Sequence, residues 1–229
     1  LVPDLILLGR YPGENSSDPP HDKQAARLRV RDIVLRGKVT DLLCLQAEVP
    51  PHDGDDGQWT VVADGSRFCD AGFRCYKADA VAAAKERPWP PEQSSSTTER
   101  SESMGFPVAI DKTAAAAAIA FHHFPIPDFT PADSLEALSE LVHGLAALVS
   151  SGKVLYIHCW AGRGRTGLVA ACLLGLLYPE IDAEQALMRV DAYYRTREVG
   201  WNGGRYRLSP DTVEQEDQVR LFYQQILHR

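Results

Sequence analysis

Residues Val154–Gly167 read VLYIHCWAGRGRTG. The opening Val154–Ile157 is a short apolar run bounded by polar chain, which predicts a buried strand. Glycines at 162, 164 and 167 then let the chain turn, and the apolar stretch Gly167–Leu177 predicts a helix. A strand, a glycine-rich turn and a helix aim backbone N–H groups and a helix N-terminus at one anion. A cysteine at the mouth of such a cradle, here Cys159, is expected as a thiolate, because the field that holds an anion also stabilises S⁻. Arg165, six positions on, closes the ring with a planar fork that binds two phosphate oxygens. Glycines alone would fit an ordinary turn holding an incidental cysteine. Cys159 and Arg165 at this spacing, with His158 before and Thr166-Gly167 after, point instead to a phosphate-binding loop: Trp160, Ala161, Gly162, Arg163, Gly164 and Arg165.

Working outward, other segments fit the same architecture. Leu5–Leu8 reads as a first strand closed by Gly9. His21–Lys38 carries Ala26, Val30, Ile33 and Val34 at helical spacing and ends at Gly37. Val39–Leu45 and Phe121–Ile126 read as buried strands. Thr130 is placed to cap, and Pro131 to open, a helix in which Leu135, Leu138, Leu141, Val142, Leu145 and Leu148 recur until Gly152. Asp182 and Gln185 form a capping box for a helix through Tyr194, and a last helix starts at Thr212. Strands alternating with helices predict a single α/β domain: a central mixed sheet of about five strands with helices on both faces. Between His52 and Ala118, Gly, Asp, Pro and the polar run Glu92–Ser103 predict an insertion, partly flexible, rather than a second core. The alanine tract Ala114–Ala118 within it is helical by propensity.

Composition narrows the function classes. The 229 residues are 45% apolar and 24% charged, ordinary for a globular chain, and no apolar run reaches the roughly 18 residues of a membrane span. A net charge of −7 argues against a general nucleic-acid binder, which needs basic surface to displace counterions. Five scattered cysteines (44, 69, 75, 159 and 172) make a poor disulfide framework and point to a reducing, cytoplasmic or nuclear setting. No zinc-ligand spacing appears, and no metal or other cofactor is expected. The sequence opens on Leu rather than Met, which leaves room for an upstream targeting segment.

HCWAGRGRTG resembles the signature His-Cys-x5-Arg-Ser/Thr-Gly of the protein tyrosine and dual-specificity phosphatase superfamily. The resemblance covers Leu5–Leu45 loosely and Phe121–Leu227 more firmly. It implies a two-step hydrolysis of phosphomonoesters, in which Cys159 attacks phosphorus and water then releases phosphate from the cysteinyl-phosphate. It further implies that Arg165 binds the equatorial oxygens, that Thr166 hydrogen-bonds the departing thiolate, and that His158 holds the loop and helps keep the cysteine ionised.

Expulsion of the leaving group needs a proton donor. The segment FPIPDFTPAD offers Asp128 and Asp133. Asp128 is the preferred candidate, since its surroundings resemble the His-x-Pro-Ile-x-Asp pattern of small dual-specificity enzymes and cyclin-dependent-kinase-associated phosphatases. Asp133 suits the first turn of a helix. Thr212 and Gln215 resemble the family segment that positions the hydrolytic water, although a plain capping box explains the same pair. Cys44 stands in a strand where some family members carry a second cysteine that traps the oxidised nucleophile as a disulfide; packing alone also accounts for it.

The substrate is left open between a phosphorylated protein and another phosphomonoester. Arg163 is expected on the pocket rim, where it would favour a polyanion such as an inositol lipid, an inositol phosphate or a multiply phosphorylated peptide; a solvated or acid-paired arginine is the alternative. A lipid substrate would bring transient membrane association. Trp160 either stacks on a ring or covers the loop. A non-catalytic phosphate-binding module, or an enzyme for small phosphates or RNA 5′ ends, would use the same loop.

Overall fold

Three short, largely buried strands and a half-buried fourth lie side by side, because buried strands satisfy their backbone polar groups by pairing. The computed structural model describes residues 4–15, 23–51, 60–62, 72–87, 119–196 and 208–227. In chain order the elements are β1 (Ile6–Gly9), α1 (Lys23–Leu35), β2 (Asp41–Gln46), β3 (Thr60–Val62), β4 (Gly72–Arg74) and α2 (Lys77–Lys85). They continue with β5 (Ala120–Ile126), α3 (Leu135–Ser150), β6 (Leu155–His158), α4 (Gly164–Leu177), α5 (Ala183–Arg195) and α6 (Val213–Phe222), and a π-helical turn follows over Tyr223–Leu227.

The central sheet runs β1-β6-β2-β5, with every pairing parallel. The expected mixed sheet of about five strands is thus four parallel strands among the described residues. Antiparallel pairing is confined to the separate β3–β4 ribbon. Parallel strands put all their carboxyl ends on one edge, where α/β folds place their ligand crevice. That edge carries Gly9, Gln46, Ile126 and His158.

Alternation along the strands sorts the core into two clusters. Leu43, Leu45, Leu155 and Ile157 face α3, α4, α5 and α6, whereas Leu42, Cys44, Val154 and Tyr156 face α1 and α2. Helix α4 is buried without interruption from Arg165 to Gly175, as suits a helix apolar on all sides. It starts at Gly164, three residues earlier than the apolar pattern suggests, so Arg165 and Thr166 belong to its first turn. The cap of α3 is Ser134, whose hydroxyl accepts from the Ala137 N–H at 3.1 Å; Thr130 instead bonds the Pro127 carbonyl in the preceding turn. The Asp182–Gln185 capping box forms as expected.

Part of the stretch read as an insertion is drawn into the core. Phe73, Tyr76, Ala80, Ala83 and Ala84 are buried against α1 and the sheet, and Cys75 is buried too. The alanine tract 114–118 lies outside the described residues. Among those described, no helix is long and apolar enough to cross a membrane.

Candidate active site

The loop from Cys159 to Arg163 joins the carboxyl end of β6 to the N-terminus of α4. Two close approaches fix its path. Gly162 has φ +68°, and a Cβ there would stand 2.1 Å from the Gly9 carbonyl oxygen; the loop therefore rests on the end of β1. A Cβ on Gly167 would stand 2.4 Å from the Ser209 hydroxyl, which itself donates to the Arg163 carbonyl at 3.0 Å. The loop is held from both sides, at positions where only glycine fits.

Cys159 is 2% exposed and lies at the floor of this arrangement. Arg165, equally buried, reaches past it to two carboxylates. Its Nη1 donates to both oxygens of Glu48, at 2.9 and 2.7 Å, and to the Ile126 carbonyl at 3.0 Å. Its Nη2 meets Asp128 Oδ1 at 2.8 Å. Burial works against the guanidinium charge, but the Cys159 sulfur, Glu48 and Asp128 outweigh it and hold its pKa above the ordinary arginine value. Asp128 is 35% exposed on its side chain, and burial lifts its pKa above the ordinary aspartate range; Glu48 and Asp211 add to this and Arg165 opposes it. Asp133, the other acid candidate, is exposed in the turn before α3.

His158 is completely buried. Its Nδ1 lies 3.3 Å from the Cys159 carbonyl, which can only accept, so Nδ1 carries the proton. In the neutral ring Nε2 is then an acceptor, and the Tyr76 hydroxyl donates to it at 2.6 Å. Burial raises the Tyr76 phenol well above its usual pKa, keeping that donor protonated. Tyr11, Tyr76 and Tyr156 surround the imidazole at ring-centroid distances of 5.6, 5.4 and 5.8 Å. Thr166 is fully buried, and its hydroxyl has no hydrogen-bond partner among the described residues.

Several expectations change. Arg163 is not on the rim: it is 6% exposed and paired with Asp211, the acid-paired alternative. Trp160 packs edge-on against Phe73 at 5.3 Å and covers the loop, its carbonyl accepting from the Tyr11 N–H at 2.9 Å. Gln215 is fully buried and works as a strut, its oxygen accepting from the Asp211 N–H at 3.0 Å and its nitrogen donating to the Thr130 carbonyl at 2.9 Å. Cys44 is buried beside His158 in the sheet register, and burial pushes its thiol up to about 12. It is unpaired, as is Cys159.

Two site residues escape the sequence reading. Glu48 reads only as the end of a strand before Pro50-Pro51, and Tyr76 falls inside the stretch assigned to the insertion. An acid just beyond the carboxyl end of a buried strand is the signal that could have found Glu48. Nothing local marks Tyr76. Among the described residues, no group of three His, Cys, Asp or Glu side chains gathers as a metal ligand set.

A loop-bound cysteine, a buried arginine and a raised aspartate on one crevice define a site able to hold a tetrahedral oxyanion and exchange one proton beside it. Comparison with known proteins agrees. The family model described as polymorphic toxin system, DSP-PTPase phosphatase, matches residues 107–176. Cyclin-dependent kinase inhibitor 3 of Rattus norvegicus is 41% identical over 69 residues, 30% of this chain and 32% of the relative's length. The fold matches the crystal structure of PTPMT1 in complex with PI(5)P, with TM-score 0.54 and 15% identity over 99% of this chain and 94% of that one. It also matches kinase associated phosphatase carrying serine for its catalytic cysteine, with TM-score 0.54 and 17% identity over 98% and 88%. The fold is thus shared with these solved phosphatases, and the sequence over residues 107–176 is similar to the dual-specificity-like phosphatases.

Proposed function

We propose that the protein hydrolyses phosphomonoesters through a cysteinyl-phosphate on Cys159, as a protein tyrosine or dual-specificity phosphatase that draws on no metal. The single domain carrying this activity would span residues 1–229, with added chain between 52 and 118. The observation behind the reading is the loop that carries Cys159 from the end of β6 to the start of α4, where Arg165 touches Asp128 at 2.8 Å.

The steps follow from those positions. The phosphate takes the Arg165 face now held by Asp128, while Glu48 keeps the guanidinium oriented through Nη1. Sγ of Cys159 forms a bond to phosphorus as the ester P–O bond breaks, and Asp128 gives its proton to the leaving oxygen. Water then attacks phosphorus, Asp128 takes a proton from it, and the S–P bond breaks with its electrons returning to sulfur. Thr166 offers that sulfur its hydroxyl, which has no partner among the described residues. Raising the pKa of Asp128 keeps it protonated to higher pH than a free aspartate, which suits the first step.

The test is turnover of p-nitrophenyl phosphate and of an alkyl phosphate, which has a poorer leaving group. Cys159→Ser is expected to abolish both while still binding phosphate. In the wild type, alkyl phosphate turnover should fall as pH rises through the raised Asp128 pKa, and Asp128→Asn should remove that limb. Full activity of Cys159→Ser sinks the reading.

A further inference from the structure

The phosphate loop carries two guanidiniums, and they are used differently. Arg165 turns toward Glu48 and Asp128. Arg163 begins two residues away and turns toward Asp211, with which it forms an ion pair; the pair's side chains are 7% and 20% exposed. The Arg163 backbone has no freedom to follow a ligand, since its carbonyl accepts from Ser209 Oγ at 3.0 Å and from the Gly167 N–H at 2.8 Å. Only its side chain can be redirected, and its buried Nε has no partner among the described residues.

The pair stands on the acid-loop side of the crevice. The Asp211 N–H donates to Gln215, which donates to the Thr130 carbonyl, two residues beyond Asp128. Asp211 also lies near enough to Asp128 to raise its pKa. The two loop guanidiniums are therefore faced by three carboxylates: Glu48 and Asp128 on Arg165, and Asp211 on Arg163. One phosphate can displace Asp128 from Arg165. A second phosphate on the same substrate meets no uncommitted cation of the loop and is repelled by Asp211.

We infer that Asp211 is a specificity-determining residue: by holding Arg163 in a buried ion pair beside the crevice, it restricts the site to groups that present a single phosphate. The inference rests on the phosphatase reading and names its substrate class. Its corollary is that loss of the Asp211 charge leaves a buried arginine without its partner, an unfavourable state that a second substrate phosphate would relieve.

The experiment compares kcat/KM for a water-soluble inositol monophosphate and for a vicinal inositol bisphosphate, which share an alkoxide leaving group, in the wild type, Asp211→Asn, Asp211→Glu and Asp211→Asn/Arg163→Gln. The wild type is expected to prefer the monophosphate. Asp211→Asn should raise the bisphosphate-to-monophosphate ratio by about tenfold or more, one freed charge acting in a partly solvated site. Asp211→Glu should keep the wild-type ratio, and the double variant should lose the gain. A change in the Asp128 pKa or a general loss of packing would move both substrates together and cancel in the ratio. A wild type that already favours the bisphosphate overturns the inference, as does an unchanged ratio in Asp211→Asn or a gain that survives removal of Arg163. Calorimetric binding of inorganic phosphate and of the bisphosphate in the Cys159→Ser background gives the same ratio without turnover. If the wild type hydrolyses nothing, the phosphatase reading fails, and the binding ratio still decides the role of Asp211.

Discussion

The sheet is packed by two kinds of core. On the face toward α3–α6 lie mainly Leu, Ile, Val and Ala side chains around α4, with Leu138, Val142, Leu168, Val169 and Leu173 fully or almost fully buried and Phe222 and Tyr223 at the C-terminal side. The face toward α1 and α2 carries an aromatic group instead: Tyr11 stands edge-on to Phe73 at 5.0 Å and to Tyr76 at 5.3 Å, and Phe73 stands edge-on to Trp160. Aliphatic packing has no direction and depends on volume. Aromatic edges and phenol hydroxyls have direction, so they orient what they touch. The first face fixes the depth of α4, and with it the height of Arg165 and Thr166. The second turns His158 and Trp160. Stability and aim are thus supplied from opposite sides of one loop.

Substitutions at three places would break or sharpen that contrast. The largest effect belongs to Gly162, where both faces converge on the end of β1. Gly162→Ala puts a methyl 2.1 Å from the Gly9 oxygen at φ +68°. Displacement of the loop by an ångström is expected to cut kcat/KM by about 10²-fold or more. Wild-type rates in a refolded, monodisperse sample would show that the loop does not need this contact. Next comes Leu173→Ala on the aliphatic face, expected to cost about 2–5 kcal/mol of unfolding free energy in denaturant titration. Its kcat/KM per folded molecule should hold, and a specific loss of activity would mean that this face also aims the site. The smallest is Tyr76→Phe, which removes only the hydroxyl on His158. It should cost about 1 kcal/mol in stability while kcat/KM falls several-fold. An effect on stability alone would reduce the aromatic face to packing.

The same division explains what could be read in advance. The phosphate loop was legible because its signal is local: glycines, a cysteine and an arginine at fixed spacing between an apolar strand and an apolar helix. The α1 stripe Ala26, Val30 and Val34 and the Asp182–Gln185 box are local too. The start of α4 was not, because Gly164 and Thr166 are poor helix formers by propensity and the apolar pattern begins only after them. Tyr76 and Glu48 were hidden for another reason. Each acts on a residue far along the chain, His158 or Arg165, and in its own neighbourhood looks like a turn or a strand end. β3 and β4, with three residues each, are too short for alternation to show. The exchange of Arg163 from rim to core rests on a partner 48 residues away, beyond the reach of any spacing rule.

The resting place of the loop on Gly9 bears on how the chain is made. β1 pairs only with β6 among the described strands, Ile6 beside Leu155 and Gly9 beside His158. A ribosome therefore releases β1 long before β6, and that pairing waits until β6 has emerged. Contacts of such sequence separation close slowly. The seat of the loop on Gly9 accordingly cannot form before β6 and the residues after it have been made.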